Sequence, residues 1–353
     1  MTGATSRATS GGPSGNGGPS DTVDVTDGRD GADGDWWEEP IEIDRTVPHI
    51  ARMYDYLLGG RVNFAADRQL ARRVTAALPG GLEQARANVR VNREFLIWTV
   101  RRLAGEVGVR QFLDIGTGLP TEENVHQVAQ AEDPTCRIVY VDPDPTVLAL
   151  SRRLLQGSSQ GAIAYLEADL REPDVILRRA AATLDFSEPV GLMLLGVLHY
   201  VLDSEGPYGI VARLAEALAP GSHVVVSHLA SDVDPEVMAE MVRRHNEAGS
   251  VELATVRSRA EVVRFFAGLE LLEPGVVPLD EWLHRVRGAG GAVDARAGVV
   301  VGRAVGRAGA ATGGAADGPP GGEADRAVGG GGGGRPRRSH RPVPIHGGMA
   351  RKP

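Results

Sequence analysis

The stretch Gln111-Phe112-Leu113-Asp114-Ile115-Gly116-Thr117-Gly118 decides the fold. Its short apolar run, Phe112 to Ile115, leads directly into a turn with two glycines. A run without regular polar alternation suits a strand buried on both faces, as in a parallel sheet. The glycines let the backbone turn sharply and approach a ligand before a helix begins. Such turns are common, so its meaning depends on the other strand ends.

The same pattern recurs downstream. Short apolar runs stand at Ile138 to Val141, Ile163 to Leu166, Leu192 to Val197 and Val224 to Ser227. The segments between them are long enough for crossover helices, which predicts a doubly wound, mostly parallel α/β sheet. A helix around Glu261 to Ala267 and an apolar segment, Leu269 to Val277, follow.

Ligands of such sheets bind outside the carboxyl ends of the strands. The second run ends Tyr140-Val141-Asp142-Pro143-Asp144-Pro145, about one βαβ unit after Gly118. Asp142 is thus placed to accept hydrogen bonds from a ribose diol. The third run ends Glu167-Ala168-Asp169-Leu170. There Asp169 can take the exocyclic amine of an adenine, while Leu170 covers a ring face. Either aspartate alone could simply cap a helix, but features on three successive strand ends rarely coincide by accident. A dinucleotide site would need a third glycine three residues after the second. Thr121 stands there, after Leu119-Pro120. That disfavours a nicotinamide oxidoreductase and favours a nucleoside without a pyrophosphate, such as S-adenosylmethionine.

Upstream, from Asp44 to Leu103, the periodicity is helical. Pro48 suits a first helical turn, Ile50, Met53, Tyr54, Leu57 and Leu58 follow helix spacing, and Gly59-Gly60 ends the element. Asn63 is the expected N-cap of a second helix carrying Leu70, Val74 and Leu78 and ended by Pro79-Gly80-Gly81. A third helix carries Val89, Leu96, Val100 and Leu103. The aromatic faces of Tyr54, Tyr56 and Phe64 would attract a sulfonium by about 0.5–2 kcal/mol. Packing of an amphipathic helix accounts for them equally well.

Val47-Pro48-His49-Ile50-Ala51-Arg52, Tyr54-Asp55-Tyr56-Leu57-Leu58-Gly59-Gly60, Gln111 to Thr121, Val139 to Pro145 and Pro220-Gly221-Ser222 are collinear motifs. Through them the chain resembles the actinobacterial S-adenosyl methyltransferase family, formerly a domain of unknown function, over roughly Asp44 to Trp282. The resemblance implies a class I, seven-stranded Rossmann-like methyltransferase sheet preceded by a helical lid segment. It implies S-adenosyl-L-methionine as cofactor and an unidentified methyl acceptor, taken to be a small molecule. The expected cofactor contacts are Asp114, Gly116, Gly118, Asp142, Asp169, Leu170, Tyr54 and Asn63. The chain departs from the family at Arg61-Val62, where lysine and aspartate are usual. Gly347-Gly348-Met349-Ala350-Arg351-Lys352 looks like the family's last strand. Gly298 to Arg303 is more strand-like by propensity. The expectation leans to Ile345 to Lys352, with the Gly-rich stretch before it an inserted loop.

Methyl transfer from a sulfonium is an in-line displacement, in which positioning can supply about 7–11 kcal/mol. A base is needed only where the acceptor must lose a proton. His199, after the fourth run, is the candidate base, and His228, at the end of the fifth, a weaker one. The nine histidines show no metal-ligand spacing.

Composition bounds the rest. Of the 353 residues, 1–37 are low-complexity and expected to be disordered. Residues 38–105 read as the helical lid, 106–285 as the cofactor-binding core, 286–344 as a Gly/Ala/Arg-rich insertion, and 345–353 as a candidate final strand. The net charge of -8 gives no general attraction to nucleic acid. The basic run Arg335 to Arg341 reads as a solvated tail. Cys136 is the single cysteine, which excludes internal disulfides. Without an apolar signal core or a membrane-length run, the expected place is the cytoplasm. The alternative function is a non-enzymatic S-adenosylmethionine-binding regulator, which would bind cofactor without releasing S-adenosylhomocysteine.

Overall fold

Except for the half-buried outer run, Ile163 to Leu166, the apolar runs become strands because neighbouring layers exclude water from both of their faces. In the computed structural model, which describes residues 43–154, 157–250, 252–288 and 342–353, five of them pair in parallel. They are β1 (Gln111–Ile115), β2 (Arg137–Asp142), β3 (Ala162–Glu167), β4 (Val190–Leu195) and β5 (His223–Leu229). Their order is β3-β2-β1-β4-β5. Side chains alternate between two cores, as the two-residue strand period requires. Leu113, Val139, Leu192 and Val224 face one core, and Phe112, Ile138, Met193 and Val225 the other.

Three helices precede the sheet: α1 (Ile50–Leu58), α2 (Ala65–Thr75) and α3 (Gly81–Arg102). The crossover helices are α4 (Val125–Glu132), α5 (Pro145–Leu154), α6 (Pro173–Ala180) and α7 (Pro207–Glu216). After β5 come α8 (Pro235–Asn246), α9 (Arg259–Val263) and α10 (Leu279–Gly288). Helices α3, α4 and α10 cover one face through Phe95, Val128 and Trp282, and α6 and α7 the other through Ile176 and Leu214. Met53 and Leu57 of α1, Leu70 and Val74 of α2 and Val89 of α3 form a separate apolar cluster, onto which Val237 and Met241 of α8 pack.

Several local expectations are corrected. Helix α1 starts at Ile50 rather than at Pro48, and its N-cap is His49, whose Nδ1 accepts the Ala51 N–H at 3.3 Å. Asn63 does not cap α2. Phe64 is the N-cap, and the Asp67 carboxylate in the first turn accepts the Phe64 N–H at 2.7 Å. The buried Asp67 also accepts from His49 N at 2.9 Å and Arg52 Nε at 3.0 Å, so it binds the two helix starts together. Helix α2 stops at Thr75, short of Leu78, and β4 stops at Leu195, short of Val197.

Beyond β5 the sheet turns antiparallel. β8 (Ile345–Arg351) lies between β5 and two short edge strands, β6 (Glu270–Leu271) and β7 (Val277–Pro278). Eight strands thus fill the seven positions of the expected sheet, because the edge position is interrupted between Leu271 and Val277. Proline and glycine, here Pro274 and Gly275, leave that stretch poorly suited to continuous pairing. The competing candidate, 298–303, lies outside the described residues, as do 1–37 and nearly all of 286–344. The glycines of β8 are there for space. A Cβ on Gly347 would meet Leu279 Cδ2 at 2.1 Å, and one on Gly348 would meet Val276 Cγ2 at 2.9 Å.

Lys352, the chain's only lysine, closes the adjoining corner. Its Nζ donates to Ala215 O at 3.1 Å, Glu216 O at 2.8 Å and Leu218 O. A cation at the open carbonyls of α7 gains from both the hydrogen bonds and the helix dipole. Lys352→Ala is therefore expected to lower unfolding stability by about 1–2 kcal/mol in urea titration, discounted for partial exposure. An unchanged midpoint would refute this role.

Candidate functional site

The carboxyl ends of the parallel strands and the helices α1, α3 and α8 enclose a cavity of about 270 Å³. Tyr54, Asp114, Gly116, Gly118, Asp142, Asp169, Leu170 and His199 all border it. Asn63 does not. Its Nδ2 donates to Asp55 Oδ2 at 2.7 Å and Gly60 O at 3.0 Å, and its Oδ1 accepts from Arg68 at 3.0 Å. Its amide braces the chain between α1 and α2, which corrects its expected place in the cofactor site.

The two glycines after β1 answer different demands. Gly116 has φ 76°, and a Cβ there would meet Val197 Cγ2 at 2.5 Å. Gly118 has φ 64°, and nothing lies within 4 Å of where its Cβ would stand. Gly116 is therefore confined by the protein's own packing, whereas Gly118 faces open space. Asp142 ties this turn to β2, its Oδ2 accepting the Gly118 N–H at 2.9 Å and its Oδ1 the Asp144 N–H at 3.0 Å. Asp144 does not border the cavity. It accepts the Thr146 N–H at 2.8 Å, at the start of α5, and lies 3.4 Å from His49 Nε2.

Burial dominates the electrostatics. Desolvation pushes both Asp142 and Asp114 up to about 6. Backbone N–H donors to Asp142, and Arg93 and the Thr117 hydroxyl beside Asp114, oppose this only in part. Asp169 is exposed enough to pair. It accepts from the Arg171 backbone N–H at 2.8 Å and from its guanidinium at 3.1 Å. The same guanidinium meets Glu205 at 2.6 Å and Glu252 at 3.3 Å.

His199 stands in the turn after β4, buried among polar and aromatic neighbours. Its ring lies 4.3 Å from that of Tyr200 and 5.7 Å from that of His228, centroid to centroid. Desolvation, with the nearby His228, His245 and Arg257, holds its pKa well below the usual histidine range. Its Nδ1 is buried without a hydrogen-bond partner. Both nitrogens of His228 are engaged, Nδ1 with Leu229 O and Nε2 with Arg257, each at 2.8 Å. Tyr54 stands at the head of a polar chain. Asn92 donates to its hydroxyl at 3.1 Å and accepts from Ser227 Oγ at 2.7 Å. Tyr56 and Phe64 do not border the cavity and stack instead with arginines, Arg86 at 5.4 Å and Arg45 at 5.0 Å.

Sequence reasoning missed Asn92, Arg93, Arg171, Ser227 and His245, which also border the cavity. One usable signal was present. Asn88 and Asn92 fall at i, i+4 on the buried stripe of α3 with Val89 and Leu96, and polar residues at core positions call for partners. Among the described residues no cluster of His, Cys, Asp or Glu could hold a metal ion, and no helix is long and apolar enough to cross a membrane.

The difference between the glycines is measurable. Gly116→Ala must displace Val197 and should lower the melting temperature sharply. Gly118→Ala meets only the cost of a left-handed conformation, about 1–2 kcal/mol. Equal losses in thermal unfolding would contradict this division.

A family model described as S-adenosyl methyltransferase matches residues 37–307. A protein of Mycobacterium tuberculosis (strain H37Rv), provisionally named an S-adenosyl-L-methionine-dependent methyltransferase, is 30% identical over 161 residues, 43% of this chain and 50% of its own length. The chain thus spans about half the length of the curated relatives it matches. Two solved structures are similar over most of both chains. A DUF574 family protein from Streptomyces avermitilis is 32% identical with a TM-score of 0.67, covering 87% of this chain and 98% of its own. A protein from Thermobifida fusca, provisionally described as a methyltransferase, is 34% identical with a TM-score of 0.64, covering 87% and 96%. The chain belongs to the S-adenosyl methyltransferase family, Rossmann-like enzymes whose cofactor is S-adenosyl-L-methionine.

Proposed function

We propose that this chain transfers a methyl group from S-adenosyl-L-methionine to a small-molecule acceptor inside the cavity at the strand ends. The observation that carries the reading is the pairing of Asp142 with Gly118: a buried carboxylate beside a backbone turn with open space above it. A nucleoside suits that space, since no protein atom lies within 4 Å of where a Gly118 Cβ would stand.

When bound, S-adenosyl-L-methionine supplies an electrophilic methyl on a positively charged sulfur. In this reading the Asp142 carboxylate accepts the ribose hydroxyls with the lone pairs left by its two backbone donors. Asp169 and Leu170 hold the adenine edge and face. Arg93, near Asp114 and bordering the cavity, meets the methionine carboxylate. Tyr54, its hydroxyl held by Asn92, offers its aromatic face to the sulfonium. His199, which borders the cavity and is held neutral by burial, receives the acceptor's proton.

Calorimetric binding of S-adenosyl-L-methionine, followed by release of S-adenosylhomocysteine with candidate acceptors, tests the reading as a whole. Asp142→Ala should remove hydrogen bonds worth about 1.5–3 kcal/mol each and lower affinity at least about tenfold with the fold intact. Asp142→Asn should lose less, and Asp144→Ala should lose stability before affinity. The reverse order would show that the wrong aspartate has been assigned. Since the diol needs the ionised carboxylate, affinity should also weaken as pH falls through about 6. His199→Gln should slow turnover and leave affinity for S-adenosyl-L-methionine unchanged. Unaltered turnover would remove His199 from the reaction.

A further inference from the structure

The cavity continues past the strand ends into the helical cap, and its chemistry changes there. Met53 and Leu57 from α1, Val74 from α2, Leu78 just beyond it, and Met238 and Met241 from α8 border this end. Three of the chain's six methionines therefore border one end of the cavity, Met238 fully buried behind the wall. Met238, Met241, Val242 and His245 fall at i, i+3, i+4 and i+7, so α8 presents one continuous stripe to it. The polar groups nearby are largely engaged already. The Thr75 hydroxyl donates to Ala71 O at 2.7 Å, Asn88 accepts from Gln84 at 2.9 Å, and Glu252 pairs with Arg171 at 3.3 Å. His199 borders the same cavity, and its buried Nδ1 has no hydrogen-bond partner.

From this arrangement we infer that the methyl acceptor is an uncharged aromatic alcohol, a phenol, whose ring sits among the methionines with its hydroxyl at His199. The inference rests on the proposed methyl transfer and gives it a substrate class. An apolar compartment favours an apolar body, and a charged group there would lose its hydration without compensation. Thioether sulfurs make favourable contacts with aromatic edges and adapt to rings of different shape. A phenol also suits the base. Burial keeps the His199 ring neutral and weakly basic. Such a ring takes a proton from a phenol, of pKa about 10, far more readily than from an aliphatic alcohol. The hydroxyl oxygen forms a bond to the methyl carbon while the carbon–sulfur bond breaks and its electron pair stays on sulfur. The hydroxyl proton passes to His199 and then to water. The products are an aryl methyl ether and S-adenosylhomocysteine.

The test uses the full chain and two probes of one shape, a neutral naphthol and the corresponding hydroxynaphthoate, which adds a carboxylate. With S-adenosylhomocysteine bound, calorimetry should show naphthol binding at least ten times tighter than hydroxynaphthoate, and turnover should yield the naphthyl methyl ether. Met241→Glu should weaken naphthol at least tenfold and leave S-adenosyl-L-methionine affinity unchanged, which also reports an intact fold. Met241→Leu should retain naphthol binding. The inference falls if S-adenosyl-L-methionine binds normally while hydroxynaphthoate binds as well as naphthol, or while Met241→Glu leaves naphthol binding unchanged. Absence of S-adenosyl-L-methionine binding in the unaltered protein would overturn the proposed function itself, and this inference with it.

Discussion

The hydrogen bond from the Gly118 N–H to the Asp142 carboxylate joins the turn after β1 to the end of β2, and the cleft depends on it. Side by side, parallel strands end at the same level, so their exits crowd together. The glycine turn relieves the crowding only because one carboxylate spans the gap and also takes the Asp144 N–H where the chain enters α5. With those two donors fixed, Asp142 borders the cavity in one orientation.

Burying two carboxylates at one edge has an energetic consequence. The pKa values of Asp142 and Asp114 are raised to about 6 in the fold. A carboxyl group whose folded pKa is raised stabilises the protein most below its unfolded pKa, and that contribution is lost as pH rises through about 6. At neutral pH the ligand-free protein therefore holds both groups as carboxylates at a cost in stability. Donors supplied by a bound ligand would recover part of that cost.

The cap works by a different principle. Helices α1, α2 and α8 meet through a cluster of their own, separate from the two sheet cores. Asp67 joins the starts of α1 and α2, and Asn92 links Tyr54 on α1 to Ser227 on β5. An apolar roof is thus anchored to a polar floor by a few buried hydrogen bonds. Those bonds are fully satisfied, so they position the roof without leaving a desolvated donor behind.

Local sequence determined the elements whose signals are local. The apolar runs at Phe112, Ile138, Leu192 and Val224 are strands buried on both faces, as continuous apolar stretches require, and the run at Ile163 is the half-buried edge beside them. Their carboxyl ends carried Asp114, Gly116, Gly118, Asp142 and Asp169 to one rim because parallel strands must all end on the same side. Contacts between distant segments were legible only in the tertiary structure. Asn63 braces a turn instead of facing the cavity, since Asp55 and Arg68 offer its amide nearer partners. Arg93, Arg171 and His245 reach the cavity from helices and loops with no shared spacing. The last strand was decided the same way. By propensity Gly298 to Arg303 reads as the better strand, yet Ile345–Arg351 pairs with β5, because its glycines leave room for Leu279, Val276 and Phe266. Propensity measures what a residue does for its own backbone, whereas the place of a strand in a sheet depends on what its neighbours need it to leave empty.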